Sequence, residues 1–133
     1  VLKEGQTIEY QHKGTEIPVT LDKNIIKNVV INLLSNAIKY SDAGKKIEFI
    51  TEIKGMALYI SVKDQGIGIP DADKQHLFSR FYRAQNAGNI QGTGLGLNIV
   101  KKYVDLLDGN IEFTSKLNEG TTFVVTIPLQ YNS

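Results

Sequence analysis

Between residues 25 and 37 the apolar positions recur at helical spacing. Ile25, Ile26, Val29, Val30, Leu33, Leu34 and Ala37 fall on one broad stripe when drawn at about 100° per residue. This predicts a helix from Lys23 to about Tyr40, with Asp22 as its N-cap. Before it, Thr7 to His12 and Ile17 to Leu21 read as short strands split by the turn-like Lys13-Gly14-Thr15-Glu16. After it, Ile47 to Ile53 and Ala57 to Lys63 form a predicted hairpin around Lys54-Gly55. A short helix is predicted to begin near Asp71, just after Pro70, and to run through Leu77, Phe78 and Phe81. Residues 84–93, AQNAGNIQGT, are polar and aperiodic and predict a mobile loop. A helix then runs from about Leu95 to Leu107 with a core stripe of Val100, Tyr103, Val104 and Leu107, and Gly109 is its expected stop. Strands at Asn110–Lys116 and Thr122–Pro128 close the chain. Helices and strands mix without regular alternation. The expected class is α+β: a two-layer sandwich of about three helices on one face of a mixed, mostly antiparallel sheet.

The 133 residues suit one domain with a real core, and 41% hydrophobic with 22% charged is an ordinary globular balance. Lys plus Arg is 15 and Asp plus Glu is 14, so charge gives no case for nucleic acid or an anionic membrane as a partner. The absence of cysteine removes disulfides, thiolate metal sites and cysteine nucleophiles, and fits a reducing cytoplasm. No stretch approaches the ~18 apolar residues of a membrane span. The chain opens at Val1-Leu2-Lys3-Glu4 without an initiator methionine, which suggests an excised domain.

Two asparagines disturb the first long helix. Asn32 and Asn36 stand four apart, on one border of the apolar stripe with Lys39, and Tyr40 is close by. An amide oxygen is a neutral hard ligand suited to Mg²⁺, which keeps several waters and borrows phosphate oxygens. Lysine can meet phosphate, and a ring can lie against a base. Taken alone, the pair is equally well a polar border with incidental asparagines. A carboxylate stands in a second odd place. Leu58, Ile60 and Val62 alternate onto one face, and Asp64 falls on that face too. Gly66 and Gly68 follow at once, letting the chain turn sharply and a flat ligand lie close. A buried carboxylate needs a donor, and an exocyclic amino group such as adenine's would serve. A turn-capping aspartate is the competing reading. Third, GTGLGL, Gly92 to Leu97, opens a long helix, where bare backbone N–H groups favour phosphate. It is not a P-loop, nor a convincing dinucleotide fingerprint, and alone it is as readily a flexible joint. Arg80 and Arg83 lie just upstream, within reach of phosphate or on a solvated helix face. Phe78 reads as core packing.

The order of these segments is more specific than any one of them. NLLSNAIKYS, DQGIGIP, LFSRFYR, GTGLGL and EGTTF follow one another. They resemble the N box, first glycine box, F box, second glycine box and final Gly-Thr motif of the catalytic, ATP-binding domain of bacterial sensor histidine kinases. The resemblance runs from about Asp22 to Leu129. It implies the helix-on-sheet Bergerat-type ATP fold shared with gyrase, the mismatch-repair ATPases and the heat-shock chaperone ATPase.

On that resemblance Asn36 would be the Mg²⁺ ligand, with Asn32 and Lys39 facing the metal-phosphate region and Tyr40 lying against adenine. Asp64 would accept from the adenine amino group. Gly66, Gly68 and Ile69 would shape the pocket floor, and Arg80 would contact the terminal phosphate. Gly92, Thr93, Gly94, Leu95, Gly96 and Leu97 would wrap the triphosphate of ATP, and Thr121 would back the adenine site. Residues 84–93 would be a lid ordering on nucleotide binding. Hydrolytic members of the group carry a glutamate where this chain has Asn32, so the expectation is transfer of the γ-phosphoryl group to histidine rather than to water, with Asn32, Lys39 and Arg80 as the catalytic set. Neither His12 nor His76 stands in the family's phosphoacceptor setting. The acceptor would lie on a dimeric helical hairpin N-terminal to Val1, and the isolated chain would be a cytoplasmic monomer with little turnover. A response regulator would be the indirect partner. A serine-directed kinase of the same superfamily, and a nucleotide-binding pseudokinase, are the alternatives.

Overall fold

In a computed structural model of the chain, residues 2, 4–14, 22–41, 43–74, 78 and 96–129 are described. The elements are β1 (Thr7–Gly14), α1 (Lys23–Tyr40), β2 (Lys46–Lys54), β3 (Ala57–Lys63), α2 (Asp71–Lys74), α3 (Gly96–Leu106), β4 (Asn110–Lys116) and β5 (Gly120–Pro128). They build one five-stranded sheet in the order β1-β2-β3-β5-β4. Only β1 and β2 pair in parallel, and the other three pairings are antiparallel. Parallel neighbours need a crossover, and α1 supplies it.

Helix α1 forms where the periodicity puts it. The Asp22 carboxylate accepts from the backbone amides of Asn24 at 3.0 Å and Ile25 at 3.2 Å, satisfying donors that the first turn leaves open. Its stripe buries Val29, Leu33 and Ala37 completely, with Ile26, Val30, Leu34 and Ile38 packed around them. On α3, Val100 and Val104 are fully buried, and Leu97, Tyr103 and Leu107 pack against the same core. Both helices lie on the face formed by Leu58, Ile60 and Val62 of β3, whose partners in register are Ile127, Val125 and Phe123 of β5. Each such side chain removed from water contributes on the order of 2 kcal/mol. Phe78, whose sequence reading was core packing, meets Phe113 edge-on at 5.9 Å, and Phe113 lies 5.8 Å from Phe123.

Several expectations need adjusting. The two long helices α1 and α3 cover the sheet, and the third helix, α2, is a single turn among the described residues. Apart from Phe78, its predicted continuation to Phe81 lies outside them, as does the strand Ile17–Leu21. Strand β1 runs two residues further than expected, since its ladder with β2 continues to Gly14↔Ile53. The stop after α3 is shared. Asp108 takes the left-handed conformation at φ 57, which aspartate tolerates better than most residues, and the Gly109 amide reaches back to the Val104 carbonyl at 2.9 Å. Gly109 is needed for another reason: a Cβ there would sit 2.5 Å from the Thr126 carbonyl of β5.

Candidate nucleotide site

Asp64 lies one residue past β3, and its amide continues the ladder by donating to the Thr121 carbonyl at 2.9 Å. The alternation that buries Leu58, Ile60 and Val62 therefore carries the Asp64 side chain to the core face, where it is 7% exposed. Its Oδ1 accepts from the backbone amides of Gly66 at 2.9 Å and Thr121 at 3.2 Å. Burial raises its pKa from 3.8 to about 6, against the lowering effect of those two hydrogen bonds. Among the described residues no lysine or arginine forms an ion pair with it. A carboxylate so placed is a ready acceptor for a donor from outside the chain.

The loop after Asp64 is stitched on both sides. The Ile67 amide donates to the Tyr40 carbonyl at 3.2 Å, and Gly66 bridges to Ser41. On the other flank the Ile67 carbonyl accepts from the Asn118 amide at 2.8 Å, and the Ile69 amide donates to Ser115 Oγ at 2.8 Å. A Cβ on Gly66 would fall 2.1 Å from the Tyr40 carbonyl, and one on Gly68, where φ is +73°, would fall 2.3 Å from the Lys116 carbonyl. Both glycines are thus required by backbone packing between α1 and the β4–β5 turn. Ile69 is buried beneath this loop, and Thr121 is buried with its Oγ1 2.8 Å from Ser115 Oγ. The arrangement brings the last turn of α1, with Lys39 and Tyr40, against the Asp64 loop.

The asparagine border of α1 is longer than the pair singled out from the sequence. Asn24, Asn28, Asn32 and Asn36 repeat every fourth residue along one line. Asn28 Nδ2 donates to the Asn24 carbonyl at 2.9 Å, and Asn32 Nδ2 to the Asn28 carbonyl at 2.7 Å. The nitrogen end of Asn32 is thereby committed to its own helix, which leaves Oδ1 to meet a ligand. Asn36 breaks the ladder: its Nδ2 is buried and, among the described residues, has no partner. An unsatisfied buried amide is costly, and a half-turn about χ2 presents its oxygen instead. That chemistry fits a Mg²⁺ ion held by one protein amide plus waters and phosphate oxygens. It also fits the absence, among the described residues, of any cluster of three or more His, Asp or Glu that could cage a metal alone.

Some expected residues are not brought together here. Arg80 and Gly92 to Leu95 lie outside the described residues, as does His76, and Gly96 and Leu97 open α3. His12 stands on exposed β1 with Nδ1 2.7 Å from Thr51 Oγ1. A concavity of about 930 Å³ borders Asp64, Gly66 and Thr121, but Lys63, Thr114 and Thr122 line it from the opposite face of the sheet, and none of Asn32, Asn36, Lys39 or Tyr40 takes part. It is not the α1 edge that the asparagines mark. Ser115 is a residue of this region that sequence reasoning missed, and Gly120 was seen only as part of the EGTTF motif, without a role. Ser115 looks like one more polar residue of an alternating strand, and its ties to Ile69 and Thr121 exist only in three dimensions.

Residues 21–131 match the family described as "Histidine kinase-, DNA gyrase B-, and HSP90-like ATPase". The chain belongs to this family. Among curated proteins it is 42% identical over 117 residues to the sensor histidine kinase WalK of Bacillus subtilis (strain 168), covering 85% of this chain and 19% of that one. Among solved structures, the mycobacterial sensor histidine kinase MprB superposes with a TM-score of 0.81 at 27% identity, covering 96% of this chain and 86% of that one. The catalytic domain of histidine kinase ThkA superposes with a TM-score of 0.77 at 32% identity, covering 93% and 79%. These neighbours share the helices-on-sheet architecture described above. The chain spans about a fifth to a quarter of the length of the curated relatives it matches. No helix among the described residues is long and apolar enough to cross a membrane.

Proposed function

We propose that residues 1–133 form the catalytic, ATP-binding domain of a sensor histidine kinase in two-component signalling. The observation that carries this reading is Asp64, a carboxylate buried without a cation partner among the described residues and aimed as an acceptor beside the end of α1. Adenine offers an amino group at the position where guanine offers a carbonyl oxygen. Asp64 takes the first and repels the second. Tyr40 lies against the base, Thr121 and Ile69 back it, and Gly66 and Gly68 leave room for it. Asn36 holds Mg²⁺, which when bound neutralises charge on the phosphates. Lys39 and Arg80 add positive charge there, and the Gly92–Leu97 run supplies backbone N–H groups.

The reaction class follows from Asn32. Its amide is a poor base, so nothing at that position activates water. The γ-phosphoryl group passes instead to a histidine of a separate dimerisation domain, and from there to a response regulator. This domain's work is positioning and charge neutralisation. The greater length of WalK and its kin supports a separate acceptor domain, and the family resemblance supports a cytoplasmic site of action.

Calorimetric titration tests the binding half. The parent chain should bind Mg·ATP and reject Mg·GTP by on the order of a hundredfold or more, because an unpaired buried acceptor is strongly discriminating. Asn36→Ala should lose the Mg²⁺ dependence. Equal affinity for ATP and GTP would overturn the reading.

A further inference from the structure

We propose that Gln6 is a positioning residue for the nucleotide pocket: from the segment that leads into β1, it holds the C-terminal carbonyls of α1 and thereby sets the loop that carries Gly66 and Ile67. The inference rests on the nucleotide reading of that loop.

A helix leaves its last carbonyls without intrahelical partners. At the end of α1 one side chain reaches two such groups. Gln6 Nε2 donates to the Ile38 carbonyl at 3.1 Å and to the Ser41 carbonyl at 3.2 Å, across separations of 32 and 35 residues. Gln6 is 5% exposed, an unusual place for a glutamine. The neighbouring backbone anchors it there. The Glu4 carbonyl accepts from the Gly44 amide at 3.0 Å, and the Thr7 amide donates to the Lys45 carbonyl at 3.3 Å.

The carbonyls that Gln6 holds flank the two residues that face the ligand. Lys39 and Tyr40 lie between Ile38 and Ser41. The same stretch is the support of the Asp64 loop, through the Tyr40 carbonyl to the Ile67 amide and through the Ser41–Gly66 bridge. Ser41 itself is fully buried, so this joint cannot shift without disturbing the core. Displacement of residues 4–7 would therefore withdraw two hydrogen bonds from the α1 terminus and loosen Tyr40 and Gly66 together.

The test compares Gln6→Met, of similar length but unable to donate, with Ile111→Ala, a core truncation on β4 that lowers stability without touching the joint. Gln6→Asn, one methylene shorter, serves if Gln6→Met does not fold. Hydrogen exchange at the Ile67 amide is read without nucleotide, and Mg·ATP affinity is read by titration. The expected result is about tenfold faster Ile67 exchange and about tenfold weaker ATP binding for the Gln6 variants, the effect of losing one or two net hydrogen bonds. Ile111→Ala should leave both near the parent values. Ile67 exchange in the Gln6 variants no faster than in Ile111→Ala would overturn the proposal, as would faster exchange with unchanged ATP affinity. If exchange accelerates but the parent chain binds no ATP, the joint stands and the nucleotide reading falls.

Discussion

Asp64→Asn is expected to make the nucleotide-free protein more stable at neutral pH while removing its adenine contact. The magnitude follows from the carboxyl's surroundings. Burial raises its pKa from 3.8 to about 6. An acid whose pKa is higher folded than unfolded penalises the folded state once it must ionise. The penalty is absent below the unfolded value, grows between about pH 4 and 6, and is full above the folded value. At about 1.4 kcal/mol for each pH unit between those limits, it amounts to ~3 kcal/mol at pH 7. With only 7% of Asp64 exposed, solvent screening takes little from that figure. Asparagine keeps an oxygen to accept from Gly66 and Thr121 but carries no charge to desolvate. Urea unfolding of parent and variant, without nucleotide, should show a gap near zero at the acid end that widens to ~3 kcal/mol by pH 7, or roughly 10 °C in Tm. The same variant should bind ATP far more weakly. A gap independent of pH, or a variant less stable than the parent at pH 7, would refute the assignment of Asp64 as a carboxylate held ready at an energetic cost.

Two further substitutions probe the scaffold. Gly120 takes φ +128, and a Cβ there would meet the Asp64 carbonyl at 2.1 Å; Gly120→Ala should cost ~3 kcal/mol or more in chemical unfolding, since the strain and the clash fall on backbone. Ser115→Ala strands the Ile69 amide and unties Thr121, so a loss of ~2 kcal/mol is expected, with ATP affinity falling as the Ile69 segment loosens.

Much of the fold was legible because short-range periodicity and burial coincide. The α1 stripe from Ile25 to Ala37 and its Asp22 cap are local facts. The alternation Leu58, Ile60, Val62, Asp64 placed an acid on the core face before any contact was known. What could not be read is what depends on distant partners. Nothing near Gln6 announces that it ends on carbonyls 32 and 35 residues away. Nothing in Gly68 names the Lys116 carbonyl as the group that excludes a side chain. Gly109 was the expected stop of α3, yet the left-handed residue there is Asp108, and Gly109 is needed against Thr126. The asparagine repeat is a local pattern too, but only the Nδ2 bonds along it and the unpaired Nδ2 of Asn36 among the described residues tell its members apart. The roles expected of Arg80 and Gly92 to Leu95 lie outside the described residues.

The central claim is that the γ-phosphoryl group goes to histidine and not to water, because position 32 holds an amide. The most direct measurement follows γ-labelled ATP with the chain alone, and then with a separate helical domain that carries a phosphoacceptor histidine. The chain alone should release almost no labelled phosphate, and adding the acceptor domain should place label on its histidine. Asn32→Glu, which restores a base one helical turn before Asn36, should shift label toward free phosphate. Rapid phosphate release by the unmodified chain without any acceptor, abolished by Asn32→Ala, would contradict the account.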